Sequence, residues 1–156
     1  DSNLVSVRLA DNRRLCVAAP AYLQRAGVPT TPGDLMRHNC LTLSSDASQT
    51  RGWAFQVNGE LIHLRPGGPL DCSDGQVLHD WCAAGLGLAW RSTWEVEAEI
   101  AAGRLVAVLE DFAAPPNGIY VVFPQRKHLP LRVRLWIEHL KHQYAQPAFW
   151  KGPQGG

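Results

Sequence analysis

The chain has 156 residues, of which 46% are hydrophobic and 19% are charged, and its formal net charge is +1 at pH 7. This length and composition suit one globular domain, or two small lobes of one, and exclude a disordered chain. Because a domain that grips nucleic acid is usually strongly basic, the near-neutral charge argues against direct DNA contact by this segment.

The sequence has no apolar run near 18 residues and no export signal, so we expect neither a membrane span nor a membrane partner. Its four cysteines, Cys16, Cys40, Cys72 and Cys82, form no CxxC pair and no dense disulfide framework. Free thiols in a reducing compartment are the simplest interpretation. These observations together predict a cytoplasmic location.

The first part of the chain predicts two strands and two helices. Residues 14–19 (RLCVAA) form a short apolar run, which indicates a buried strand. Pro20 is typical of a first helical position, and Gly27 is typical of the residue that ends a helix. Thr31 is a suitable N-cap for a second helix. Residues 40–43 then predict the second strand.

A hairpin is predicted in the middle of the chain. Residues 44–52 are small and polar, which suggests a loop or a boundary between lobes. Residues 53–57 and 60–64 each alternate apolar and polar side chains. They flank Asn58 and Gly59, the dipeptide that most strongly favours a two-residue hairpin turn.

Two further helices follow with clear start and stop signals. Ser73 or Asp74 is the predicted N-cap of the first, and Gly85 ends it. Ser92 or Thr93 is the predicted N-cap of the second, which ends at Gly103. Additional strands are predicted up to Cys72 and at 86–90, 105–109 and 119–123.

The last predicted helix runs from about residue 131 to residue 144. One of its faces is apolar, because hydrophobic residues recur at helical spacing. Strands that alternate with helices of about ten residues indicate an α/β architecture with mainly parallel strand pairing. The apolar face consists of Val133, Trp136, Ile137, Leu140 and Tyr144.

Four segments stand in a characteristic order: RLCVAAPAYLQRAGVPTTPGDLMRHNCLTL (14–43), LDCSDGQVLHDWCAAGLGLAW (70–90), IAAGRLVAVL (100–109) and NGIYVVFPQRKHLPLRVRLWIEHL (117–140). In this order and spacing, residues 1–142 resemble the second half of the effector-binding domain of LysR-type transcriptional regulators. The resemblance implies a type II periplasmic-binding-protein-like α/β fold, in which two crossover strands join two lobes and the first lobe is incomplete here. It also implies that further strands and a helix-turn-helix precede this segment.

The resemblance places the two crossover strands at 40–43 and 119–123. The first lobe would then comprise residues 1–40 and 118–145, and the second lobe residues 44–116. We expect residues 146–156 to form a flexible tail. A ligand would bind between the lobes, against helix N-termini and strand ends.

The leading candidate site is the turn formed by Ser73, Asp74 and Gly75. It joins a strand to the start of a helix, where free backbone N–H groups and the helix dipole favour an anion. Gly75 would allow close approach, and Ser73 offers a hydroxyl group. The competing interpretation is that Ser73 or Asp74 serves only as an N-cap.

Three other residues are candidate effector contacts. Ser44 follows the first predicted crossover, and Phe123 ends the second, so both would lie beside the hinge. Trp53 and Trp90 would each line an apolar pocket. The competing interpretation for all of them is loop entry or core packing.

A metal or catalytic site has little support in the sequence. Cys72, His79 and Cys82 lie within eleven residues, but zinc needs three or four convergent ligands. No motif places an oriented third group beside a Cys–His pair. We therefore expect no metal, no cofactor and no enzymatic activity.

Taken with the resemblance, these features predict the ligand-sensing domain of a LysR-type regulator. A small, anionic metabolite would bind between the lobes and control transcription. DNA would be bound by the preceding helix-turn-helix, and the complete protein would be a homodimer or homotetramer. There are two alternatives. One is a solute-binding protein of the same fold, and the other, less favoured by the sequence, is a thiol or metal enzyme.

Overall fold

The computed structural model describes residues 4–44, 52–124 and 130–145. The predicted tail at 146–156 lies outside these residues. Two short 3-10 helices, Pro32–Arg37 and Glu110–Phe112, accompany the regular elements. The strands are β1 Leu4–Asn12, β2 Arg14–Ala18, β3 Thr42–Leu43, β4 Trp53–Val57, β5 Glu60–Leu64, β6 Asp71–Cys72, β7 Ala89–Ser92, β8 Val106–Val108 and β9 Asn117–Pro124; the helices are α1 Pro20–Ala26, α2 Gly75–Ala83, α3 Thr93–Ala101 and α4 Leu131–Ala145.

Two sheets, β6–β3 and β7–β2–β8, are joined by one parallel backbone bridge and together form a mixed central sheet in the order β6–β3–β7–β2–β8. Strand β3 is parallel to β6, and a parallel bridge between Cys40 and Leu88 joins it to the chain entering β7. Strand β2 runs antiparallel to both β7 and β8. Strands β6, β3, β7 and β8 thus run in the same direction, with β2 reversed between β7 and β8. The prediction of mainly parallel pairing is wrong, because both pairs made by β2 and the pairs β1–β9 and β4–β5 are antiparallel.

Proline, glycine and asparagine residues correctly predicted several ends of the helices and the turn of the hairpin. Gly27 follows α1 with a φ of 85°, and Pro20 begins that helix. Asn58 and Gly59 have φ values of 51° and 81°, as a two-residue hairpin turn between β4 and β5 requires. A bridge between Phe55 and Ala113 then holds the hairpin to the chain before β9.

The sheet is buried on both faces, which accounts for the unbroken apolar run of β2. Cys16 and Ala18 pack into one hydrophobic cluster, while Val17 packs into the other. In the first cluster, side chains of the hairpin and of α1, such as Phe55 and Tyr22, pack against the sheet. The second receives α2 and α3. It contains Leu41, Leu78, Cys82, Val96 and Leu105.

Strands β1 and β9 form a separate antiparallel ribbon, and α4 packs against β1. The pairing extends from Leu4 opposite Pro124 to Asn12 opposite Asn117, with one irregularity between Arg8 and Ala10. The sequence analysis predicted β9 but not β1.

Part of the predicted first lobe and one predicted crossover strand lie in the central sheet. Residues 14–40 were assigned with 118–145, but β2 pairs with β7 and β8, and its side chains share both clusters with the segment 52–112. Residues 40–43 likewise lie inside the central sheet, whereas 119–123 pair with β1. The physical reason is burial: β2 covers its apolar side chains only between these two neighbours.

Candidate functional site

The carboxyl ends of β6, β3 and β7 meet at one edge of the sheet, because these three strands are parallel. Ser44 follows β3, and Ser73 follows β6. The Ser44 amide donates to the Cys72 carbonyl at 2.7 Å, and its hydroxyl is 3.0 Å from the same oxygen. The structure thus brings the predicted candidates Ser44 and Ser73 together.

Helix α2 begins at this edge, in the predicted turn. Asp74 is its N-cap, and the Asp74 carboxylate accepts a hydrogen bond from the Gln76 amide at 2.7 Å. The capping role proposed for Asp74 is therefore confirmed. Ser73 is exposed and Gly75 half-buried. The start of a helix carries partial positive charge and leaves amide donors without intrahelical partners, so it favours an anion.

Arg91 lies beneath the start of α2, and the sequence analysis did not identify it. It projects from β7, is only 8% exposed, and donates through Nη2 to Glu95 Oε1 at 2.9 Å. A Cβ atom built on Gly75 would lie 3.3 Å from that same Nη2. The available signal was an arginine in the strand-like run LAWRS, where a charge is unusual unless it has a partner.

Helix α3 also begins at this edge, directly after β7. Glu95 in its first turn accepts a hydrogen bond from the Ser92 amide at 3.1 Å through Oε2. Glu95 therefore binds both the backbone before α3 and the Arg91 guanidinium. Two helix N-termini and one buried cation are thus placed at the same edge.

Trp53 and Phe123 occupy other places. Trp53 is 5% exposed, belongs to a core cluster and stacks on Trp90 with ring centroids 6.4 Å apart. Phe123 lies opposite Val5 in the β1–β9 ribbon. The structure supports the packing interpretation of Trp53, and it puts Phe123 in a different sheet from Ser44 and Ser73.

Trp53 also reaches a pocket of about 290 Å³ beside β3. The pocket lies between β3, the start of β4 and the chain that leaves β5. Its volume is near the lower end of small-molecule sites. The lining residues are Thr42, Leu43, Gly52, Trp53, Arg65, Pro66 and Gly67.

The cysteine and histidine neighbourhood does not form a metal site within the described residues. Cys82 points into the core, where its thiol lies 3.6 Å from the Val17 carbonyl oxygen. His79 instead faces Glu99 of α3, with Nε2 and Oε1 3.7 Å apart. Burial raises the pKa of the Cys82 thiol to about 12, which opposes formation of a nucleophilic thiolate.

We expect the thiols to differ sharply in reactivity. Burial also raises the pKa of Cys40 to about 12 and raises that of Cys16, whereas Cys72 is half-buried at the sheet edge. At pH 8 a thiol of pKa about 12 is ionised to only about one part in 10⁴, so Cys72 should react first with a colorimetric disulfide reagent. Reaction in urea, where all four thiols are accessible, is the control. Rapid modification of Cys82 in the folded protein would contradict this expectation and favour a reactive-thiol role.

Comparisons with known proteins agree on one family. Residues 1–145 match the model of the LysR substrate binding domain. The chain is 33% identical over 145 residues to the HTH-type transcriptional regulator DmlR of Escherichia coli. That alignment covers 92% of this chain and 47% of DmlR. It is 31% identical over 133 residues to the E. coli HTH-type transcriptional activator TtdR, covering 85% of this chain and 42% of TtdR. The chain thus spans about half the length of the curated relatives it matches.

The solved structures show the same fold. The regulatory domain of CrgA, a LysR-type transcriptional regulator from Neisseria meningitidis, superposes with a TM-score of 0.76 at 26% identity. That match covers 93% of this chain and 71% of the CrgA domain. Within the described residues, none of the helices has the length and apolar character needed to cross a membrane.

Proposed function

Because the chain belongs to the LysR substrate-binding domain family, we propose that it senses a small-molecule effector for a LysR-type transcriptional regulator. The match over residues 1–145 carries this proposal, and it is supported by relatives named as HTH-type regulators. Those relatives are about twice as long, which leaves room for a DNA-binding helix-turn-helix in the complete gene product. Action on DNA implies a cytoplasmic protein.

The proposed effector is a small anion bound at the edge formed by Ser44, Ser73 and Gly75. The exposed Ser73 hydroxyl, the N-terminus of α2 and a buried guanidinium lie at this edge, and each favours negative charge. The Ser44 hydroxyl lies beside them and donates to the Cys72 carbonyl, so an anion would have to compete for its proton. Asp74 shapes the turn as the N-cap, so its contribution is to hold the site rather than to bind the anion directly.

We further propose revised lobes for this fold. Residues 14–112 form the second lobe, and the β1–β9 ribbon with α4 forms part of the first. The ribbon strands would then be the crossovers, and Phe123 would approach the effector from the first lobe. Trp53 would border an extension of the site through the pocket beside β3.

Effector binding would act through a population shift. A ligand that contacts both lobes has different affinities for open and closed arrangements, and only that difference can change the equilibrium. In a homodimer or homotetramer, the altered lobe angle would change the spacing of the helix-turn-helix domains on DNA.

The test uses the full-length gene product and a panel of metabolites. Thermal unfolding is measured with small carboxylates, phosphorylated compounds and neutral analogues, since a ligand at 100 times its Kd stabilises by about 2.7 kcal/mol. Hits are then tested for a change in binding to DNA upstream of the gene. We expect an anionic hit whose effect disappears in the Ser44→Ala, Ser73→Ala double variant.

Ser6→Ala is the matched control, because Ser6 is exposed on β1, in a different sheet from Ser44 and Ser73. It should retain both ligand stabilisation and the DNA response. Ligand binding without any DNA binding by the full-length protein would favour the solute-binding alternative. A hit that stabilises the double variant as well as the unmodified protein would place the site elsewhere.

A further inference from the structure

Arg91 is an unusual side chain for the interior of this sheet edge. Its side chain is 9% exposed, and Glu95, its ion-pair partner, is 23% exposed. Within the part of the chain that the structure describes, Arg91 Nε is buried and has no hydrogen-bond partner. A buried donor without an acceptor lowers stability, so the retention of an arginine at this position calls for a compensating role of its guanidinium.

The guanidinium faces the start of α2. Its Nη2 and Nη1 atoms lie 3.3 Å and 3.9 Å from the position of a Cβ atom on Gly75. Because residue 75 is glycine, no side chain separates the guanidinium from the space beside the first turn. Arg91 therefore adds a fixed positive charge to the helix N-terminus, and its fork of N–H donors suits a carboxylate or phosphate oxygen pair.

We propose that Arg91 determines the charge specificity of the effector site, with Glu95 acting as an internal competitor for the guanidinium. This inference rests on the effector site proposed above. An incoming carboxylate shares Arg91 with Glu95, whose second oxygen remains on the Ser92 amide. Neutral ligands receive no comparable gain, because they carry no negative charge with which to compete with Glu95 for the guanidinium.

The two partners predict effects of opposite sign. Arg91→Gln removes the charge and should weaken anion binding roughly 10- to 100-fold. Glu95→Gln removes the competing negative charge, yet glutamine can still accept the Ser92 amide as in a capping box. Anion binding by Glu95→Gln should therefore strengthen roughly 3- to 10-fold.

The experiment compares sodium succinate with neutral succinamide on the full-length protein. Calorimetry measures both affinities, and hydrogen exchange of peptides covering 70–84 locates the binding. Arg104→Gln is the matched control, because Arg104 is 62% exposed and pairs with Glu99 on the far end of α3. It should leave both affinities unchanged. Arg91→Lys keeps the positive charge and can be measured if Arg91→Gln does not fold. It should lose less affinity for succinate than Arg91→Gln does.

The outcomes separate this inference from the proposed function. Succinate protection at 70–84 with equal affinities for Arg91→Gln, Glu95→Gln and the unmodified protein overturns the role of Arg91 but leaves the site in place. Equal loss of succinamide and succinate binding in Arg91→Gln or Arg91→Lys also overturns it, since that indicates structural damage. Absence of protection at 70–84 with succinate overturns both the anion site and this inference.

Discussion

Replacing Gly87 with alanine should lower the free energy of unfolding by about 3 kcal/mol or more. Gly87 is buried where the chain entering β7 runs beside the chain entering β3. A Cβ atom there would meet the Asn39 carbonyl oxygen well inside van der Waals contact, and would lie 3.2 Å from Leu41 Cγ. The obstruction is backbone, so rotation of a side chain cannot relieve it.

The same close approach holds the sheet edge in register. The Leu88 amide donates to the Asn39 carbonyl at 2.9 Å, and the Leu41 amide donates to the Leu88 carbonyl at 2.8 Å. These bonds fix β3 beside β7 and therefore fix Ser44 relative to Arg91. Separation of the two chains by an added methyl group should disturb the candidate site as well as the core.

Urea denaturation measures this effect, with Gly67→Ala as the control. A Cβ atom on Gly67 would meet no atom within 4 Å, so that substitution should change the unfolding free energy by less than about 0.5 kcal/mol. Equal midpoints for the two variants would mean that the strands separate easily, and the register argument would then be wrong.

Features governed by a few adjacent residues could be predicted from the sequence. Pro20 and Gly27 bound α1 because proline fits a first helical turn and glycine tolerates a positive φ. Asn58 and Gly59 specify the hairpin in the same way. Ser44 and Ser73 were identified as separate candidates, and their proximity follows from the parallel pairing of β3 with β6.

Features that depend on distant pairing were missed. Strand β1 carries an alternating pattern, with Val5 and Val7 half-buried, but its partner is more than a hundred residues away in β9. The pairing of β2 with β7 and β8 could not be predicted for the same reason, because an apolar run does not reveal which strands will cover it. Arg91 was missed because its position beneath Gly75 arises only when α2 packs on β7.

Substitution of Gly75 by alanine should weaken effector binding roughly 10- to 100-fold, or by about 1.4 to 2.8 kcal/mol of binding free energy. The added methyl carbon would lie 3.3 Å from Arg91 Nη2, in the space that a ligand oxygen needs to reach both the guanidinium and the first turn of α2. The small shift that Arg91 must make is offset by the greater preference of alanine for helix, so the free energy of unfolding should change by less than about 0.5 kcal/mol. The prediction is therefore a loss of affinity without a loss of stability.

This separation of affinity from stability makes the result diagnostic. Gly33→Ala is the control, because a Cβ atom there would approach nothing closer than Thr31 Oγ1 at 3.9 Å, in a 3-10 helix remote from the edge. Calorimetric titration with the anionic hit and thermal unfolding without it should be measured on both variants. If Gly75→Ala binds as tightly as Gly33→Ala, the anion does not approach the start of α2. Glycine at that position would then reflect only the packing of Arg91 against the helix, and the effector would have to contact the second lobe elsewhere, with the pocket beside β3 as the next place to test.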